Sequence, residues 1–252
     1  MQEGYVNTAV ANHIATIEFY HPQSNSLPAH LLNSLAEAIA TAGTNDAVRV
    51  IILRSAGEKA FCAGASFDEL MAINNEEEGL RFFSGFAKVI NAARTCPKFI
   101  IGRVQGKAVG GGVGMASAVD YCFATEAAAV KLSELAVGIG PFVVGPAVER
   151  KIGTSAMSEL AIDASSWRSA EWAAQKGLYC GVFTDVATMD EAIAALAERL
   201  AKSNPEAMSM LKSVFWQGTA HWDQLLSERA AMSGKLVLSD FTRNAIASFK
   251  AK

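Results

Sequence analysis

Two short stretches give this chain the means to act on a carbonyl oxygen. One is "FCAGAS", Phe61 to Ser66, and the other is "GKAVGGGVG", Gly106 to Gly114, which gathers five of the chain's 20 glycines into nine residues. Each follows an apolar run, passes through small residues and enters a helical pattern. Glycine costs backbone entropy, so a run of it signals close approach or a positive φ. Small residues leave backbone N–H groups uncovered, and a helix N-terminus adds about half a positive charge aimed outward. Two such turns brought together would hold one oxygen between two N–H donors, an oxyanion hole. The same turns would also serve for plain strand-to-helix packing, which is what a lone glycine run usually means.

No other group of chemistry-bearing residues clusters in the sequence. Cys62, Cys96, Cys122 and Cys180 are scattered, with no C-x-x-C pair, and read as reduced, buried thiols. His13, His21, His30 and His221 lack ligand spacing, so no metal site is expected. A net charge of −3 gives no basic excess for a nucleic-acid backbone. The opening "MQEGYVNTAVANH" has no basic region followed by an apolar block, and no window reaches about 20 apolar residues. The expectation is a cytoplasmic protein that binds neither nucleic acid nor membrane. Its 252 residues, 51% hydrophobic and 19% charged, suit a well-packed globular chain. A mean hydropathy of +0.20 hints at apolar surface buried between subunits.

The elements that must position the two turns follow from periodicity. "VNTAV" and "HIATIEFY" read as a hairpin turning at Ala11-Asn12. "NSLPAHLLNSLAEAIATAG" reads as a helix entered at Pro28 and ended by Gly43. "VRVIILRS" is a buried strand, and "FCAGASFDELM" passes from strand to helix with Ser66 and Glu69 spaced as a capping box. "GLRFFSGFAKVINAARTC" is an amphipathic helix, with the acid run Glu76 to Glu78 before it as a solvated face. "KFIIGRVQGKAV" is a strand leading into the glycines, and a short helix follows from Gly112. "YCFAT" and "AVKLS" are strands, and "GPAVERKIG" and "SAMSELAID" are helical. Helical patterns follow one another from about Ala187. The pattern is an α/β body over residues 1–190 and a helical region over 191–252.

The order and spacing of "GEKAFCAGASFDEL", "GKAVGGGVGMASAVDYCFAT" and "KLSELAVGIGP" resemble the enoyl-CoA hydratase/isomerase family, the crotonase superfamily. "HPQSNSLPAHLLNSL" and the closing "SDFTRNAIASFK" extend the resemblance over most of the chain. It implies a spiral of ββα units, a helical C-terminal trimerisation region and an acyl-CoA substrate that carries its own coenzyme A, with no further cofactor. Carried over by motif, Ala63 and Gly111 supply the oxyanion N–H groups and Glu134 is the acid/base. The implied chemistry is stabilisation of an enolate, most naturally in enoyl-CoA hydration, alternatively in Δ3–Δ2 enoyl-CoA isomerisation. A non-catalytic CoA-binding member of the fold is the reading from another class.

The chain departs from the family pattern in two places. Hydratases of the family carry a further glutamate two positions past the glycine run, where this chain has Gly114. One carboxylate suffices to move a proton along a substrate, so hydration and isomerisation both stay open. Beside an apolar acyl pocket, Glu134 is expected to have a raised pKa. In "GIGPFVVGP", Phe142 and Val144 stand where small residues are usual, which implies a pocket for a short or branched acyl chain. By the same resemblance Lys59, Phe61, Gly64, Ala65, Gly110, Phe142, Phe249 and Lys250 contact the acyl-CoA, Lys250 from a neighbouring subunit. The chain is expected to form a homotrimer or a dimer of trimers. Asp68, Glu69 and the acid run at 76–78 are weaker possibilities for the missing carboxylate.

Overall fold

A computed structural model of the chain describes residues 3–250; the side chains of Phe249 and Lys250 lie outside the described residues. Strands β1 (Tyr5–Ala11) and β2 (Ile14–Tyr20) pair antiparallel through a two-residue turn. Asn12 and His13 both have positive φ, 50° and 66°, so the turn sits one residue later than the sequence suggested. That backbone matches the right-handed strand twist, and it lets Ala11 pair with Ile14. Ala15, Ile17 and Phe19 alternate inward along β2 and are fully buried.

Helix α1 (Ala29–Thr44) buries Leu31, Leu32, Leu35 and Ile39 on one face. Gly43 falls in its last turn, where the chain packs against Cys96, instead of just beyond its end. Strand β3 (Val50–Ser55) is followed by a short β4 (Ala60–Cys62), then α2 (Phe67–Met71) and α3 (Glu76–Thr95). Ser66 caps α2 by accepting the Glu69 N–H at 3.3 Å, but the reciprocal half of a capping box is missing. The Glu69 carboxylate instead accepts the Ala29 N–H at 2.9 Å and ties α2 to the start of α1. The acid run at 76–78 forms the first turn of α3, where negative charge suits the helix dipole.

The run "KFIIGRVQGKAV" is two strands, not one: β5 (Phe99–Val104) and β6 (Lys107–Val109), which join different sheets. The break is at Gln105. Its buried side-chain amide donates to Ser55 Oγ at 2.9 Å and to the Gly57 and Ala60 carbonyls, satisfying groups that the bend exposes. Then come α4 (Gly111–Ala118), β7 (Tyr121–Thr125), β8 (Val130–Lys131), α5 (Gly145–Ile162, broken at Gly153) and α6 (Ala170–Gln175). After β9 (Gly181–Phe183) the chain is helical: α7 (Val186–Ala201), α8 (Pro205–Phe215), α9 (Trp222–Leu236) and α10 (Asp240–Lys250).

Each turn of the chain contributes one strand to each of two sheets, which is how the spiral is built. The large sheet has the order β1-β2-β3-β5-β7-β9, all parallel after the hairpin, and the small sheet has the order β4-β6-β8, all parallel. The main core lies between the large sheet and helices α1, α3, α4 and α5. Helix α7 covers the other face, where Met189, Ile193 and Ala197 meet Val50, Ile101 and Phe123. It begins before residue 190 and is clamped to the sheet by the paired contacts of Arg103 with Asp190, at 2.5 and 3.0 Å.

The other C-terminal helices are also tied to the body. Buried Lys212 of α8 pairs with Asp120 at 2.8 Å and donates to the Lys98 carbonyl at 2.8 Å. Asp120 further accepts from the Ile100 N–H and the Trp216 indole, so this buried pair has the added hydrogen bonds that offset desolvation. Helix α9 crosses α3 antiparallel at Gly79 and Gly234. A Cβ on Gly79 would lie 2.7 Å from the Gly234 Cα, so no larger residue fits.

Candidate active site

The small sheet positions the site. Because β4, β6 and β8 run parallel, their C-terminal ends lie on one edge and deliver three loops side by side. These are the loop after Cys62, the glycine run after Val109 and the segment through Glu134. A hydrogen bond from the Gly110 N–H to the Lys131 carbonyl, at 2.9 Å, fixes the second loop to the third. The first and second are equally close: a Cβ on Gly64 would lie 3.4 Å from the Val109 oxygen and 4.0 Å from the Gly111 nitrogen.

Between these loops and α3 is a cavity of about 310 Å³. Ala63, Gly64, Ala65, Gly110, Gly111, Glu134 and Phe142 all line it. Its remaining wall is largely apolar, with Phe82, Phe83 and Phe86 from α3 and Val137, Ile139 and Val144 from the far side. Glu134 is the one charged residue among those lining it. The three phenylalanines stand on the α3 face that the 3.6-residue period turns inward, and the sequence reading did not assign them to the site.

The glycines here are set by neighbours. A Cβ on Gly111 would overlap the Phe86 ring, and one on Gly112 would overlap the Cys62 carbonyl. Gly110 has φ +52°, and a Cβ there would lie 2.8 Å from Glu134 Oε1. The glutamate carboxylate therefore lies directly over the bare backbone that opens α4. Among the described residues the Gly111 N–H has no protein acceptor, and it starts α4 at its positive end. The Ala63 N–H differs: it donates to the Ser24 carbonyl at 3.2 Å.

Glu134 follows β8 and precedes a 3₁₀ turn, Leu135–Val137, closed by left-handed Gly138. Its carbonyl accepts the Val137 and Ile139 N–H groups at 3.2 and 2.9 Å, which locks the backbone that carries the side chain. The side-chain Oε2 is buried with no hydrogen-bond partner among the described residues. Burial pushes the carboxyl up to about 7, against the lowering effect of a hydrogen bond from its own backbone N–H. A carboxylate in an apolar wall, half protonated near neutrality, is suited to taking and returning a proton.

The space next to Gly114 is occupied. A Cβ there would lie 2.5 Å from Val144 Cγ1 and 3.6 Å from Ile90 Cδ1. The bulk of Val144 and the absence of a side chain at 114 are thus one packing arrangement. The Phe142 ring folds back over Gly140, where a Cβ would overlap it.

Other residues singled out in the sequence fall elsewhere. The Phe61 side chain is a correction to the expected substrate contact: it is fully buried in the core, edge-on to Phe19 at 5.5 Å, and does not line the cavity. The adjacent Cys62 is buried in the same core, so both faces of β4 are covered there. Lys59 is exposed in the bend just before β4, outside the cavity lining. Asp68 is exposed, Glu69 is engaged with α1, and neither they nor residues 76–78 line the cavity. Phe249 and Lys250 lie outside the described side chains.

Comparison with known proteins agrees with this architecture. The family model for enoyl-CoA hydratase/isomerase matches residues 9–250, and the chain belongs to that family. It is 27% identical over 249 residues to a "Probable enoyl-CoA hydratase" of Bacillus subtilis, covering 98% of this chain and 96% of that protein. It is 25% identical over 240 residues to a peroxisomal "Delta(3,5)-Delta(2,4)-dienoyl-CoA isomerase" of Arabidopsis thaliana, covering 89% and 84%. The crystal structure of an enoyl-CoA hydratase from Bacillus halodurans superimposes with a TM-score of 0.89 at 21% identity, covering 97% of this chain and 99% of that one, so the fold is the crotonase fold. Among the described residues no helix is long and apolar enough to cross a membrane.

Proposed function

We propose that the chain is an enoyl-CoA hydratase in which Glu134 is the sole acid/base. The observation that carries this reading is the placement of a carboxylate, its Oε2 without a partner among the described residues, over the bare backbone of Gly110, beside the Gly111 N–H that has no protein acceptor there, in an apolar cavity. The substrate thioester oxygen takes the Gly111 N–H and shares the Ala63 N–H with Ser24. Charge that develops on this oxygen as an enolate forms is met by fixed donors and the α4 dipole. Ionised Glu134 takes a proton from water as it adds to Cβ, then returns that proton to Cα. Coenzyme A enters and leaves as part of the substrate.

Isomerisation is the second reading, and the contact of Gly114 with Val144 favours it. A site with one carboxylate, and with the neighbouring space filled by a methyl group, holds a water less firmly than a pair of carboxylates would. Removing a proton at C2 of a 3-enoyl thioester and returning it at C4 needs Glu134 alone. Crotonyl-CoA separates the two. Loss of the enoyl-thioester absorbance with ¹⁸O entering the product from labelled water supports hydration. A rise in that absorbance from a 3-enoyl-CoA, with no action on crotonyl-CoA, supports isomerisation.

We further infer that copies associate through α8 and α9. Met210, Leu211, Val214 and Phe215 are exposed on α8, and Met232 and Leu236 on α9. Exposed apolar residues spaced along one face of a helix, as at 210, 211, 214 and 215, suit a subunit interface. Light scattering on the purified protein should give three or six times the 26.6 kDa chain mass; a monomer at micromolar concentration contradicts this.

A further inference from the structure

Ser233 is a buried polar group that the chemistry above does not use. It stands on α9 one residue before the Gly79–Gly234 crossing, is 1% exposed, and lines the same cavity as Glu134. Its Oγ has no hydrogen-bond partner among the described residues, not even the carbonyl one helical turn back. A buried hydroxyl without a partner is unfavourable, because water is stripped from it and nothing replaces it. The crossing itself needs only a small residue, and alanine would satisfy that without an orphaned group. The hydroxyl therefore needs an explanation other than packing.

Position supplies one. Along α3, Phe86 touches Gly111 at the oxyanion end of the cavity, and Gly79 touches Gly234 beside Ser233. Seven helical residues at 1.5 Å each separate them by on the order of 10 Å. Ser233 thus borders the end of the cavity remote from Gly111, which the far end of an acyl chain laid along α3 from the thioester would reach. The lining around it, including Phe82 and Phe83, carries no cation, so nothing there would balance a carboxylate.

We propose that Ser233 is a specificity-determining residue whose hydroxyl, turned into the cavity by rotation about χ1, hydrogen-bonds an uncharged oxygen, a hydroxyl or a ketone, near the far end of the acyl chain. The inference deepens the acyl-CoA reading and rests on it. A hydroxyl donates to a ketone, and it donates to or accepts from an alcohol, so one residue serves both. Sites built to bond a substrate oxygen discriminate against the analogue that lacks it, because their own polar group is then left bare.

The test is calorimetric binding of three unreactive probes to the intact protein: hexanoyl-CoA, 5-oxohexanoyl-CoA and 6-hydroxyhexanoyl-CoA. Wild type is expected to bind at least one oxygenated probe about tenfold more tightly than hexanoyl-CoA. Ser233→Ala should lose that preference, bind hexanoyl-CoA as well as wild type or better, and keep its Tm or raise it. Equal wild-type affinity for all three probes overturns the proposal while leaving the acyl-CoA reading intact. So does an unchanged preference in Ser233→Ala. If wild type binds none of the three, nor free CoA, the acyl-CoA reading itself fails and the proposal falls with it.

Discussion

The loop after β4 and the loop after β6 share a design and differ in one bond. Both leave a short parallel strand through small residues and open a helix. In the second loop the Gly111 N–H has no protein acceptor among the described residues and heads an eight-residue helix. In the first, the Ala63 N–H is held by the Ser24 carbonyl, and α2 begins only at Phe67. Ser24 and Asn25 both have positive φ, 55° and 56°, so this carbonyl is presented by a constrained turn. The side chain of Asn25 pins that turn, accepting the His21 N–H at 2.8 Å and donating to the Ala56 and Ala60 carbonyls. On the proposed reading, the contrast means that one donor is open to an incoming oxygen and the other is shared with the protein. In this account Gly111 carries most of the electrostatic work and Ala63 tunes it.

Removing the group that both loops serve should have the largest effect. Glu134→Gln is expected to lower kcat/KM by about 10³-fold, within the usual range for a lost general base, with far-UV dichroism unchanged. The wild-type rate should rise with pH through about 7, since the ionised form is the base and burial raises the carboxyl to that value. Stability runs the other way. The folded carboxyl at about 7 lies above the ordinary value of 4.5, so the folded state is favoured while the group is protonated, and stability falls as pH rises from 4.5 through 7. Glu134→Gln should flatten that slope in denaturant titrations.

Breaking the open donor comes next. Gly111→Ala forces its Cβ against the Phe86 ring and should cost about 10²-fold in kcat/KM. Stopped-flow measurements should place most of that loss in kcat. Filling the space at 114 is expected to fail as a route to faster hydration. Gly114→Glu meets Val144 and should lower stability by about 1–3 kcal/mol, measured by urea unfolding, with no gain in rate. Gly114→Glu combined with Val144→Gly should recover much of that stability. Smallest on the chemistry is the shared donor. Asn25→Ala loosens the turn that presents Ser24 and should change kcat/KM by tenfold or less, while costing about 1–3 kcal/mol of stability through carbonyls left bare. A larger kinetic loss there than in Gly111→Ala would reverse the ranking of the two loops.

The two loops were legible in the sequence because small residues follow strand ends there, whereas Ala63, Gly111 and Glu134 were singled out within the motifs by the family resemblance alone. The bulk at Val144 was also visible, but its partnership with Gly114 was not, since the two are 30 positions apart and meet only in space. The division of "KFIIGRVQGKAV" was hidden because both halves are apolar or β-branched, and Gln105 betrays the break only through bonds it makes 45 to 50 residues away. Phe61 sits inside a motif whose backbone borders the cavity, yet β4 is covered on both faces and its ring packs in the core against Phe19. The phenylalanines of α3 showed the right periodicity for burial, but periodicity alone does not say whether a face meets core or cavity. Ser233 gave no sign at all, because a serine beside a glycine in a helix reads as surface.

The central claim is that the Glu134 carboxyl moves a proton at the carbon next to a thioester whose oxygen is held by Gly111. Exchange of the Cα protons of butyryl-CoA in D₂O, followed by NMR, tests this whether the physiological reaction is hydration or isomerisation. The account predicts exchange with the wild-type protein and its loss in Glu134→Gln. Exchange at the wild-type rate in that variant would contradict it.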